Sequence, residues 1–233
     1  VAINGFGRIG RSVLRSIIEY NHNDMEIIAI NDLTELNTIV HLLKYDSVHG
    51  RFNGSVEPVD GGIKVNNKFI RITAIREPEN LPWDDIDVAM ECTGFFTKKV
   101  DAKKLISAGA KKVLISAPGI DVDKTIVFGV NDELLTSNDL IVSNGSCTTN
   151  CLAPIAKVLN DLAGIRSGYM TTIHAYTGDQ ALHDGDHKDL YRARAASLSM
   201  IPTSTGAARA ISLVLPELSG KLEGCLLYTS PSP

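Results

Sequence analysis

Up to residue 145, short apolar runs of strand length trade places with segments whose apolar residues recur at helical spacing. The strand-like runs are residues 1–4, 25–31, 87–92, 112–116, 125–130 and 140–143, and helical spacing covers 11–20, 36–44 and 98–108. That alternation predicts a doubly wound parallel sheet with helices on both faces. Residues 61–75 instead alternate apolar and polar positions around Asn66 and Asn67, which predicts an antiparallel hairpin inserted into the sheet.

After residue 145 the rhythm changes. Residues 147–162 have helical spacing with Pro154 inside, and a proline there predicts a kink, because it lacks the N–H and crowds the preceding turn. Residues 168–176 read as a strand. Residues 177–200 are polar and read as a long ordered loop, a kind of segment that is usually functional. A helix over 205–215, stopped by Pro216, follows. Residues 225–233 continue no sheet pattern, and 224–233 are expected to be a foreign tail on a chain clipped at both ends. The predicted organisation is a Rossmann-like domain over 1–145 and an incomplete α+β domain over 146–233.

The composition is that of an ordinary globular protein, 44% hydrophobic and 21% charged. A net charge of −4 gives no electrostatic reason to expect a nucleic acid or an anionic membrane as partner. No apolar run approaches the roughly 20 residues of a membrane-spanning helix, so a cytoplasmic location is expected. The four cysteines show neither a disulfide framework nor paired zinc spacing, and no metal is expected. Cys92, inside an apolar strand, reads as core.

Two motifs carry chemistry. Gly5, Gly7 and Gly10 lie between the first strand and the first helix in the G-x-G-x-x-G spacing. The first glycine allows a tight turn, the second lets backbone approach a pyrophosphate, and the third lets helix pack on strand. Asp32 closes the second strand, where such folds place the carboxylate that binds the adenosine ribose. Cys147 opens the helix after Ser143–Ser146, and a helix N-terminus favours thiolate over thiol. His174, at the end of the next strand, is the imidazole that could exchange its proton. The hydroxyls of Ser146, Thr148, Thr177 and Thr205, with Gly206, suit phosphate oxygens, which makes a phosphorylated substrate the expectation.

With NGFGRIGR, AIND, ISAP, SNGSCTTNCLAP, HAYTGDQ and IPTSTGAA in order from Val1 to about Gly224, the chain resembles phosphorylating glyceraldehyde-3-phosphate dehydrogenases. The resemblance implies a Rossmann NAD-binding domain and a catalytic α+β domain. It implies Cys147 as nucleophile and His174 as acid/base. Arg8 and Ile9 would lie along the NAD pyrophosphate, Asp32 on the ribose, and Arg76 and Ser116 near the cofactor. Ser146, Thr148, Thr177, Thr205 and Gly206 would bind the phosphates of glyceraldehyde 3-phosphate and of inorganic phosphate. It further implies a homotetramer working in glycolysis. Because the family's later phosphate-binding arginine and final helix have no counterpart here, the chain as given is expected to have little or no activity. Alternatives are an erythrose-4-phosphate dehydrogenase, an acyl-forming semialdehyde dehydrogenase, or a nucleotide-binding fragment that does not react.

Overall fold

In the computed structural model, which describes residues 1–229, the chain forms two compact units. The first holds residues 1–126 and 134–145; the second holds 127–133 and the chain from Ser146 onward.

The first unit begins β1 (Ala2–Asn4), α1 (Arg8–Glu19), β2 (Ala29–Asn31) and α2 (Leu36–Lys44). A small ladder, β3 (Tyr45–Asp46) with β4 (Gly50–Arg51), leads to β5 (Val56–Val59), β6 (Gly62–Val65) and β7 (Lys68–Thr73). Then come β8 (Ile86–Glu91), α3 (Lys99–Ser107), β9 (Ala110–Ile115), β10 (Lys124–Thr125) and β11 (Ile141–Ser143). The strands form a nine-stranded sheet in the order β10-β11-β9-β8-β1-β2-β7-β6-β5. From β10 to β7 every pairing is parallel; β6 and β5 add antiparallel strands at one edge.

Burial on both faces explains the near-continuous apolar strands. In β1 and β2 the pleat sends Ile3 and Ile30 to a core with Leu14, Ile39 and Leu43, while Ala2 and Ala29 face a second core with Trp83, Ala102 and Leu105. Each fully buried Leu or Ile side chain contributes about 1.5–3 kcal/mol. The hairpin of β6 and β7 turns at Asn66 and Asn67, as the alternation predicts, with φ 47° and 67°. It extends the sheet edge rather than interrupting the parallel strands.

The second unit contains α4 (Cys147–Ala163), β12 (Gly168–Ala175), β13 (Ile201–Ser204), α5 (Ala207–Val214) and β14 (Leu222–Thr229). Its three strands are ordered β12-β14-β13, with β14 parallel to β12 and antiparallel to β13. Ala153 and Ala156 of α4 pack with Ile211 and Val214 of α5. The helix assignment of α4 runs unbroken through Pro154. Residues 177–200 form no helix or strand.

Two expectations are corrected. Of the strand expected over 125–130, only Thr125 falls within a strand, β10, because Val127 and Val130 belong to the core of the second unit. A turn places them there, with the Val130 N–H on the Val127 carbonyl and the Val127 N–H on Asn131 Oδ1. Residues 225–229 are not a tail outside the sheet but most of its middle strand. Leu226 and Tyr228 are buried with Ile201, and Gly224 lets the strand pass close to Met170, where a Cβ would lie 2.6 Å from the Met170 carbonyl oxygen. Residues 230–233 of that expected tail lie outside the described residues.

Candidate functional site

Each glycine of the first motif has its own steric reason. Gly5 has φ +89°, and a Cβ on it would lie 2.7 Å from the Thr93 nitrogen. A Cβ on Gly10 would lie 2.3 Å from the Gly5 carbonyl oxygen, so helix and turn touch there. A Cβ on Gly7 would meet nothing within 4 Å, and that open space is what a ligand lying on the backbone requires. Gly7 also caps α1 without a side-chain hydrogen bond, which leaves the helix N-terminus to an anion.

Asp32 braces this turn. Its Oδ2 accepts the Phe6 N–H at 2.6 Å and its Oδ1 accepts the Thr34 N–H at 2.8 Å. Each carboxylate oxygen keeps lone-pair capacity for ribose hydroxyls. Asp32, Gly5, Gly7 and Arg76 line one cleft with Thr93 and Phe96. Arg8 is turned to Asp46 at 2.7 Å, and its guanidinium holds the Asp46 carboxyl well below the usual carboxylate range. Ile9 is exposed. Ser116 lies beside Cys92, and its backbone N–H donates to the Glu91 carbonyl. Cys92, expected in the core, is only partly buried; it packs against the core of Ile3 and lines the same cleft, and burial pushes its thiol up to about 11. The glycine turn, the Asp32 carboxylate that braces it and the open helix N-terminus together fit a dinucleotide.

In the second unit, Cys147 is the first residue of α4. Ser146 caps the helix, its Oγ accepting the Thr149 N–H at 3.0 Å. The Cys147 Sγ lies 3.2 Å from His174 Nε2. On the far side of the ring, Nδ1 is 2.6 Å from the Ala175 carbonyl oxygen. A carbonyl only accepts, so Nδ1 carries the proton and Nε2 presents its lone pair to the sulfur. The Tyr228 ring meets His174 edge-on at 5.3 Å.

The hydroxyl residues are placed less uniformly. The Ser146 hydroxyl is engaged as a cap, and Thr148 is buried, 6% exposed. Thr177, just past β12, accepts the Asp179 N–H on Oγ1 at 3.4 Å. Thr205 accepts the Ala207 N–H at 3.1 Å, next to Gly206 at the start of α5. Ser204 lies level with Thr171 across β14, three residues along β12 from His174. Cys147 and His174 are thus in direct contact, whereas Thr177 and Thr205 stand at separate strand ends.

Sequence reasoning missed several groups beside these sites. Asn4, Asn31 and Thr93 line the cleft and Glu91 binds Asn4 and Thr93 behind it, and the repeated strand ending Ala-Ile-Asn at Asn4 and Asn31 was a signal that could have found two of them. Arg192 is the other. It pairs with Asp179 within the long loop and ties that loop to the sheet, donating to Thr203 Oγ1 at 3.2 Å and stacking over the Tyr228 ring at 5.4 Å.

Residues 1–99 match the family described as glyceraldehyde 3-phosphate dehydrogenase, NAD binding domain, and residues 146–229 match its C-terminal domain. A glyceraldehyde-3-phosphate dehydrogenase of Cereibacter sphaeroides is 62% identical over 233 residues, covering 100% of this chain and 70% of that protein. One from Xanthobacter flavus is 61% identical with the same coverage. One from Bacillus subtilis strain 168 is 55% identical over 96% of this chain and 67% of its own length. The glycine turn with Asp32, the cysteine in contact with histidine and these matches lead to one conclusion: the chain belongs to the glyceraldehyde-3-phosphate dehydrogenase family, with that family's NAD-binding domain matched over residues 1–99.

Proposed function

We propose, against the low activity expected from the sequence, that this chain oxidises glyceraldehyde 3-phosphate with NAD and inorganic phosphate to 1,3-bisphosphoglycerate, through a thioester on Cys147. The observation that carries the reading is the 3.2 Å approach of His174 Nε2 to the Cys147 sulfur. His174 takes the thiol proton, and the sulfur attacks the aldehyde carbon, so a C–S bond forms as the carbonyl electrons move to oxygen. His174 hands that proton to the oxygen, then takes it back as the carbonyl re-forms and the C–H bond breaks, its electron pair leaving as hydride. NAD, when bound, supplies the hydride acceptor. A phosphate oxygen attacks the thioester carbon, the C–S bond breaks, and the Cys147 thiolate returns. Covalent attachment separates oxidation from phosphorylation, so neither needs to be concerted with the other.

Ser146, Thr148, Thr177, Thr205 and Gly206 are the proposed phosphate-binding residues, and Arg8, Ile9, Asp32, Arg76 and Ser116 the proposed contacts of NAD. A homotetramer is the proposed assembly, supported by the exposed Ile155, Leu159 and Leu162 on α4. Among the described residues no helix is long and apolar enough to cross a membrane. The test mixes protein, NAD and glyceraldehyde 3-phosphate, and follows NADH formation together with the mass of the Cys147 peptide. Aldehyde-dependent NADH with a phosphate-labile acyl group on Cys147 is expected. Absence of both defeats the reading, and an acyl group that water removes as fast as phosphate does favours the erythrose-4-phosphate type.

A further inference from the structure

Beneath the glycine turn lies a chain of buried polar side chains that the chemistry above does not use. Glu91, Asn4 and Asn31 end β8, β1 and β2, three adjacent strands, and are 1%, 1% and 5% exposed. Polar groups at such depth persist where each finds a partner. The Thr73 hydroxyl and the Ile75 N–H both donate to Asn31 Oδ1 at 2.9 Å. Asn31 Nδ2 donates to Asn4 Oδ1 at 2.8 Å, and Asn4 Nδ2 donates to Glu91 Oε2 at 2.6 Å. Glu91 Oε1 accepts the Thr93 N–H at 2.7 Å and also the Thr93 hydroxyl.

The direction of the chain is forced. Asn31 Oδ1 takes two donors, so its amide nitrogen must face Asn4 Oδ1, and Asn4 then has only N–H to offer Glu91. Glu91 is therefore an acceptor at both oxygens. Burial pushes its carboxyl above the ordinary carboxylate range, and the donors from Thr93 and Asn4 oppose that shift. A carboxyl kept here against its desolvation, where apolar residues would pack at less cost, points to a further role.

That role follows from what the two ends hold. Thr93 is where Gly5 presses, since a Cβ on Gly5 would lie 2.7 Å from the Thr93 nitrogen and 2.8 Å from its Cγ2. At the other end the Asn31 carbonyl accepts the Gly5 N–H at 2.8 Å, and the next residue, Asp32, holds Phe6. Gly5, Asp32 and Thr93 line the same cleft. We propose that Glu91 is a positioning residue for the dinucleotide: through Asn4 and Asn31 on one side and Thr93 on the other, it sets the two walls of the cleft at the separation the cofactor requires. This rests on reading that cleft as the NAD site.

The test uses the full chain, with NAD affinity from calorimetry, thermal melting, and amide exchange. Glu91→Gln puts an N–H donor against Asn4 or Thr93 and is expected to weaken NAD binding about tenfold or more. Thr93→Val removes only the hydroxyl and is expected to weaken it about threefold, on the order of half a neutral hydrogen bond. Glu91→Asp, which keeps the acceptors, should recover part of the affinity lost in Glu91→Gln. Exchange should quicken at Gly5, Thr93 and Gly94 while the other strands stay protected. Folded Glu91→Gln and Thr93→Val proteins with unchanged NAD affinity overturn the proposal, as does a loss of protection spread evenly over the sheet. If Glu91→Gln does not fold, Thr93→Val decides by the same criterion. Failure of the unmodified chain to bind NAD would instead overturn the cofactor reading.

Discussion

His174 offers Cys147 one particular nitrogen. Nε2 stands 3.2 Å from the sulfur because Nδ1 is committed to the Ala175 carbonyl at 2.6 Å, so the tautomer is selected by backbone rather than by a second acid. A base so oriented raises the share of reactive thiolate. His174→Asn should slow alkylation of Cys147 by iodoacetamide at neutral pH roughly tenfold or more. Peptide mass spectrometry against time measures it, with the exposed Cys151 as internal reference. Equal rates in both proteins would remove His174 from the role of base.

The glycines of the turn predict opposite phenotypes. Gly10→Ala must push a methyl into the Gly5 carbonyl, where it would lie 2.3 Å away, and should cost about 1–3 kcal/mol of stability. Gly7→Ala meets open space at φ −69°, so its melting temperature should stay near that of the parent while NAD binding weakens. Melting curves and calorimetry on the two variants separate folding from binding. A Gly7→Ala protein that binds NAD unimpaired would show that no ligand lies against that backbone.

Asp32 has both a structural and a binding task. Asp32→Ala frees the Phe6 and Thr34 N–H groups, and it also removes the charge that would repel a ribose 2′-phosphate. NAD affinity should fall about tenfold, and the preference for NAD over NADP should shrink at the same time. Titration with both nucleotides tests this, and an unchanged ratio would take the ribose away from Asp32.

Cys92 gives a pH signature. Its thiol is raised to about 11 by burial, above the ordinary value of about 8.5, so the folded protein holds a proton that the unfolded chain gives up. In that interval the native state binds more protons, and stability falls as pH rises from about 8.5 toward 11. Cys92→Ala should melt lower at neutral pH yet show a shallower decline over the same alkaline interval. Parallel curves for the two proteins would refute the assignment.

The sequence made the parallel sheet legible because Ile3 and Ile30 on one face and Ala2 and Ala29 on the other both require cover, and only a doubly wound arrangement supplies it. It made Cys147 and His174 legible because each sits at an element end, where side chains are free to react. It hid β14, since Leu226 and Tyr228 follow a glycine and a cysteine and acquire their meaning only from β12 and β13 on either side. It also hid Glu91, which looks like a surface acid at a strand end until Asn4 and Thr93 are seen to enclose it. Partners far apart in the chain leave no periodic trace.

The position of β1 between β2 and β8 has a consequence for how this protein acquires its ligand. β1 must wait for β8, which follows it by some eighty residues, before the Gly5 turn has both supports. Cofactor capture thereby becomes a report that β1, β2 and β8 have come together, and an intermediate that lacks β8 gains nothing from nucleotide in its surroundings. By mass action, the nucleotide then stabilises only chains that have finished folding there.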